Sequence, residues 1–410
     1  MTNNANIVPE RAGWRGRGSL SSMVSELKRQ IDARLDFVID SRDLVVAVDG
    51  GQLRLKGSPS AAEWIPRAGF ALQRQALRQL AERANPSIPL RHVEEAAEKA
   101  PRRLADYMTG LMHDAPERRL VRVLDGKVRG FLSDAYKCID NADVAAAVLE
   151  GAKEARASIL EATLSDTAMR IKLVVPEIVE DVERVRSGDA SGGAGSIGSP
   201  EYLARVAANS RGTMPQLPSG PNAVCPILTV GNSETGHGTF FGRVGILQAF
   251  CVNLATVETK LAQVHLGQRL ETGIFSRETI ALEADLILRK GKDLMRTAFD
   301  PARFKELVDK VRATVGQVVV RPIAAVEVAC RAGLLGLDRL DALTQAFMQE
   351  PGGTSVYNLG QAIARVAQDV DNADEASEWE QFAGDVLSGK HSRELMAAGG
   401  GADDVLARAH

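Results

Sequence analysis

Gly231-Asn232-Ser233-Glu234-Thr235-Gly236-His237-Gly238 interrupts two strand-like runs, one ending at Val230 and one alternating from Thr239 to Val252. A polar, glycine-rich octapeptide in that position is a turn or a ligand loop. Upstream of it, hairpin signals mix with helical periodicity. Downstream, helical periodicity dominates. That order places the chain in the α+β class, with an N-terminal mixed or antiparallel sheet, flanking helices and a helical C-terminal lobe.

Working outward, the clearest hairpin joins residues 120–124 to 128–132 through Asp125-Gly126-Lys127. A D-G pair between β-branched alternations favours a tight primed turn. A second hairpin flanks Asp49-Gly50-Gly51. Helical spacing begins at Ala61, with Trp64 and Leu72 on its apolar face, and continues over 73–83 and 93–112 with a restart near Pro101. Another helix covers 144–159, which Asn141 or Asp143 is placed to cap. Residues 169–175 alternate as a strand, and a short helix is expected from Pro176 to Arg184. The glycine- and serine-rich stretch 186–200 cannot bury enough apolar area to offset its ordering entropy, so it reads as a disordered insertion between strands at Ile171 and Leu228, with an interdomain linker as the alternative. Beyond the octapeptide, helices are expected over 254–270, 276–299, 301–315, 325–335, 340–349, 357–370 and 375–387. Asp300 is placed as N-cap of the third, ahead of Pro301. The resulting division is a flexible arm at 1–22, an α+β core at 23–253, a helical lobe at 254–390 and a flexible tail at 391–410.

Composition sets limits on function. The 410 residues are 45% hydrophobic and only 4% aromatic, so the core is aliphatic. Cys138, Cys225, Cys251 and Cys330 lie far apart without a C-x-x-C pair, which fits a reducing, cytoplasmic setting. No run approaches the ~20 apolar residues of a membrane span. The net charge is −3, yet residues 366–410 carry ten carboxylates against three Lys/Arg, which leaves the rest of the chain at +4. A basic face on the body is compatible with that imbalance.

Two groups of residues offer chemistry. The octapeptide supplies the Asn232 amide, the Ser233 hydroxyl, the Glu234 carboxylate, the His237 imidazole and glycines whose backbone N–H groups can form an anion nest. It lacks the lysine of a phosphate-binding P-loop and the last glycine of a nucleophile elbow. The second group is Arg122, Lys127, Arg129 and Lys137, cations on or beside the clearest hairpin. Sharing a face, they would neutralise a phosphate backbone, with Asn232 and Ser233 shaping the contact. A solvated sheet face is the alternative. No histidine spacing suits a metal, and no cofactor motif occurs.

Several of these motifs resemble a phage- and plasmid-related family catalogued as domain of unknown function 932. The likeness rests on Arg129-Gly130-Phe131-Leu132-Ser133-Asp134-Ala135-Tyr136-Lys137 followed by Asp140-Asn141, and on the octapeptide followed by Phe250-Cys251-Val252-Asn253. His265-Leu266-Gly267, Tyr357 to Ala362, Trp379-Glu380 and Ala383-Gly384 extend it over roughly residues 40 to 390. The resemblance implies a protein of mobile elements, some members being encoded near recombination or replication functions. The leading expectation is therefore a non-catalytic protein that binds single- or double-stranded DNA. Two alternatives stand beside it: an enzyme using Ser233, Glu234 and His237, with His237 as acid/base, and a structural or protein-interaction factor. Self-association into a homo-oligomer is left open.

Overall fold

A computed structural model describes residues 14–17, 20–59, 65–136, 139–165, 167–182, 222–236, 238, 240–248, 253–264, 277–333, 336–350, 352–370 and 373–399. Lys137, His237, the insertion expected at 186–200 and residues 400–410 lie outside them.

Two sheets, rather than one, make up the β structure. The first holds β2 (Arg34–Asp40), β3 (Leu44–Asp49), β4 (Gln52–Gly57), β5 (Phe70–Leu72), β6 (Arg118–Leu124) and β7 (Lys127–Ser133), in the order β2-β6-β7-β5-β4-β3. Both expected hairpins form. At the β6–β7 turn Asp125 and Gly126 take φ of 51° and 73°, the primed geometry that matches strand twist. Only β5 against β7 is parallel, so this sheet is mixed. Leu72 belongs to β5 and not to a helix from Ala61, because pairing with β7 satisfies backbone groups that local helical spacing ignores. Helices α2 (Arg74–Ala84), α3 (Leu90–Lys99) and α4 (Pro101–Asp114) accompany the sheet, the last restarting at Pro101 as the sequence suggests. Val121, Val123, Val128 and Phe131 pack with Leu77, Leu80 and Met108 in a core of their own. By strand alternation Arg122, between Val121 and Val123, points to the other face.

The second sheet runs β1-β8-β9-β11-β12-β13, with β10 beside β11. Its strands are β1 (Trp14–Arg17), β8 (Ser158–Leu164), β9 (Met169–Val174), β10 (Glu180–Asp181), β11 (Ala223–Asn232), β12 (Phe240–Gln248) and β13 (Asn253–Val264). Ile171 pairs with Val230 and Leu173 with Leu228, so the strands expected on either side of the insertion are indeed neighbours. Every residue of β11 is buried. Three expectations change here. Part of the N-terminal arm is an edge strand, since Trp14–Arg17 pair with β8. The segment after Pro176 carries β10 instead of a helix. Residues 253–264 form a strand where a helix was expected, because β12 would otherwise present an unpaired edge; the pairing runs through two irregular steps. Helices α1 (Leu20–Ala33) and α5 (Asn141–Glu154) pack onto this sheet through Met23, Leu27, Val144 and Val148.

The C-terminal lobe is helical: α6 (Arg277–Ala298), α7 (Pro301–Val315), α8 (Pro322–Ala332), α9 (Leu340–Met348), α10 (Val356–Ala367), α11 (Ala373–Leu387) and α12 (Ser392–Gly399). Asp300 caps α7 by accepting the Arg303 N–H at 2.9 Å, as its position ahead of Pro301 implies. Helix α10 is buried along its whole length and packs against α7, α9 and α11. Residues 392–399, expected as flexible tail, are helical because Leu395 inserts into the core. Ile171, Leu228, Val311, Tyr357 and Trp379 belong to one continuous apolar cluster, so the lobe shares its core with the second sheet. Among the described residues, no helix is long and apolar enough to cross a membrane.

Candidate functional site

The octapeptide begins at the end of β11 and turns onto the reverse face of the β6–β7 hairpin. Asn232 donates to the Ile139 carbonyl at 3.0 Å and to Asn141 Oδ1 at 2.8 Å. Ser233 Oγ donates to the Thr167 carbonyl at 2.6 Å. Gln79, reaching across from α2, donates to the Thr235 carbonyl and accepts the Phe131 N–H at 2.9 Å. Gly236 takes φ of 73°, and a Cβ there would lie 2.7 Å from Leu132 Cδ2. Only glycine fits both conditions.

Glu234 is the centre of the arrangement. Its carboxylate accepts from Arg129 Nη2 at 2.7 Å and from the backbone N–H of Asn141, at the first turn of α5. The helix is thus capped by a carboxylate from a distant strand end. Neither Asn141 nor Asp143 caps it, and the N-cap residue Asp140 makes no side-chain bond of that kind. The reason is that Asp140 is engaged elsewhere: Arg34 pairs with one of its oxygens, and Arg122 Nη2 approaches the other at 3.1 Å. Arg122 also holds Asp36 Oδ2 at 2.8 and 3.0 Å and donates from Nη1 to the Glu234 carbonyl at 2.8 Å. Its side chain is 1% exposed.

Arg34, Arg122 and Arg129 therefore face Asp36, Asp140 and Glu234, three charges of each sign. Burial pushes the Asp140 carboxyl up, but the Arg34 hydrogen bond and the Arg122 charge outweigh it and hold the group below its ordinary range. Such a network is costly to break from its carboxylate side, because Arg122 and Arg129 would be left charged and buried. It fastens the first sheet, the end of β11 and the start of α5 to one another.

Arg122, Arg129, Asn232, Ser233 and Glu234 are buried and bonded within the protein. Hairpin and octapeptide meet, as the nucleic-acid reading requires, yet they meet through their charged groups and enclose them. Lys127 stands apart: it is half-buried at the hairpin turn and, among the described residues, makes no ion pair. It lines a cavity of about 60 Å³ together with Gln30, Gln73, Leu124, Asp125, Arg129 and Ser165. Arg129 Nε is closed to solvent and has no hydrogen-bond acceptor among the described residues. Asp125 is held by Arg29 at 2.8 and 3.0 Å, a guanidinium that also pairs with Glu26 at 2.8 Å, so one cation serves two carboxylates there.

Sequence reasoning did not single out Gln79, Asp36, Asp140 or Ser165 for these roles. Asp140-Asn141 stood within a motif, but nothing local indicates that an arginine and a carboxylate from elsewhere meet there. A second buried polar centre also escaped notice. Lys172 Nζ lies 3.0 Å from Glu161 and 2.7 Å from Glu380, all three buried between the second sheet and α11. Asp374, at the start of α11, takes Thr167 Oγ1 at 2.6 Å and pairs with Arg170. Cys225 is no nucleophile in this setting, since burial, with a contribution from Glu177, pushes its thiol up to about 12. No protein-family model matches the chain, and no curated protein or solved structure matches it either.

Proposed function

We propose that the chain is a non-catalytic phosphate-binding protein, with DNA as the phosphate carrier and the support of mobile-element replication or recombination as its setting. The observation that carries the reading is the cavity beside the β6–β7 turn. There Lys127 makes no ion pair among the described residues, although Asp125 lines the same recess. An ammonium left unpaired at a recess favours an anion. The choice of DNA as carrier comes from the family resemblance and not from the cavity.

The non-catalytic part rests on the octapeptide. An acid/base or nucleophilic role needs side chains that can reach a substrate, whereas Ser233 and Glu234 are buried and bound to Thr167, Arg129 and Asn141. Their arrangement is that of a fastening.

DNA retention across a salt series tests the proposal. Wild-type chain should hold single- or double-stranded DNA at low salt and release it steeply as salt rises, and Lys127→Ala should reduce the slope by roughly one phosphate contact. Absence of retention at low salt, or an unchanged slope in the variant, removes it.

A further inference from the structure

We propose that β2 is a docking edge for a second copy of this chain, the two β2 strands pairing antiparallel about a two-fold axis so that the first sheet continues from one molecule into the other.

The first sheet ends in β2 on one side and in β3 on the other, and the two ends are treated differently. On β3 the outward backbone groups are taken by α4. Thr109 Oγ1 accepts the Val46 N–H at 2.9 Å and donates to the Val46 carbonyl at 3.3 Å, and His113 Nε2 donates to the Leu44 carbonyl at 2.8 Å. On β2 no side chain takes this role among the described residues. Its ladder with β6 runs from Arg34–Leu124 to Asp40–Arg118, and the Ser41 N–H continues it to the Glu117 carbonyl at 2.9 Å. Successive residues of a strand direct their backbone groups to opposite edges, so that bond sets the phase. Leu35, Phe37 and Ile39 face β6, whereas Asp36 and Val38 turn their N–H and C=O groups outward. An uncovered row of this kind is a template for another strand. Leu35 on the strand is 44% exposed, as is Ile31 in the last turn of the helix that leads into it.

Register selects the occupant. Outward groups pair only with outward groups, so a two-fold axis relating two β2 strands must pass through a residue of the strand. With the axis at Phe37 the whole of β2 is paired. Asp36 meets Val38 of the second copy, Leu35 meets its Ile39, and Arg34 meets its Asp40, opposite charges at both ends. Moving the axis one residue sets Asp36 against Asp36 of the copy, or against its Asp40, and like charges directly opposite are destabilising. Arg34 and Asp40 already hold Asp140 and Arg42, yet their side chains remain 32% and 29% exposed, so each has a side open to the copy. Arg34-Leu35-Asp36-Phe37-Val38-Ile39-Asp40 is thus self-complementary when paired along its full length, the condition for an isologous contact and one that a foreign strand does not impose.

The test is the mass of the full chain in solution, by sedimentation equilibrium from about 0.1 to 100 µM, a range that spans the affinity of a short interface. The wild type should pass from monomer to dimer across it. Val38→Pro removes an outward N–H without touching the ladder to β6, so the monomer should keep its melting temperature while the dimer weakens by about tenfold or more. Asp40→Arg sets like charges opposite at both ends and should weaken the dimer most at low salt. Hydrogen exchange on the wild type needs no variant to fold: raising the concentration through the same range should protect the amides of Asp36 and Val38 and leave that of Val46 unchanged. A chain that stays monomeric throughout the range, a dimer that Val38→Pro leaves equally tight, or concentration-dependent protection that falls outside β2 each overturns the proposal.

Discussion

Arg122 is among the largest fully buried side chains, and it is charged. Its value to the fold lies in satisfying Asp36, Asp140 and the Glu234 carbonyl at once. Arg122→Met leaves the Glu234 carbonyl without its donor and Asp36 and Asp140, one exposed and one half-buried, without this cation, and chemical denaturation should show a loss of about 1–3 kcal/mol. Asp140 gives a pH signature. Its folded pKa lies below its unfolded value, so its contribution is present above ~3.9 and is lost as pH falls through the lower folded value. Urea midpoints measured from about pH 6 down to about pH 2 should fall more steeply for the wild type than for Asp140→Asn. A matching slope in both proteins would mean that Arg34 and Arg122 do not stabilise the ionised form. At this scale the sequence showed which residues carry charge, but not whom they face. Arg122 and Arg129 read as candidates for a wet surface because alternation fixes the side of a strand and says nothing about what covers it.

The legible elements are those built by neighbours in sequence. Asp125-Gly126 makes its hairpin from local turn chemistry, Pro101 restarts its helix, and Asp300 caps α7 three residues away. The elements that escaped depend on distant partners. Residues 253–264 become β13 because β12 offers an edge, and α5 is capped by Glu234, 93 positions along the chain. Helical spacing in such a stretch is a weak preference that tertiary pairing overrides. The octapeptide was legible as a turn, but the reading of a local hydrogen-bond network missed partners that lie on α2, β7 and α5. Gly236→Ala tests the turn directly. The substitution strains a φ of 73° and drives a methyl against Leu132, so thermal or urea unfolding should show a loss of about 1–3 kcal/mol. An unchanged midpoint would mean that the turn is not seated on the hairpin.

For the whole molecule, the α+β class and the order of sheet before helical lobe were legible, whereas the division into two sheets was not. The strands of both sheets alternate alike, and only pairing partners separate them. The second sheet and the lobe share one apolar core, crossed by the buried Glu161–Lys172–Glu380 centre. Lys172→Met leaves two carboxylates close together without their cation. Stability should fall by about 3–5 kcal/mol at neutral pH, and part of the loss should be recovered on acidification as one carboxylate takes a proton. Fluorescence of the buried Trp379 and far-ultraviolet dichroism should report the same transition, because strand and helix rest on one core. The seating of residues 233–236 on β6 and β7 has a consequence for biosynthesis. The first sheet is complete once Ser133 has left the ribosome, but the segment that covers its arginine-bearing side emerges about a hundred residues later, roughly five to twenty seconds at ordinary elongation rates. During that interval the nascent chain must shield ionised groups with solvent or a chaperone, so slowing translation between the two segments should lengthen the time in which the newborn protein is open to proteases.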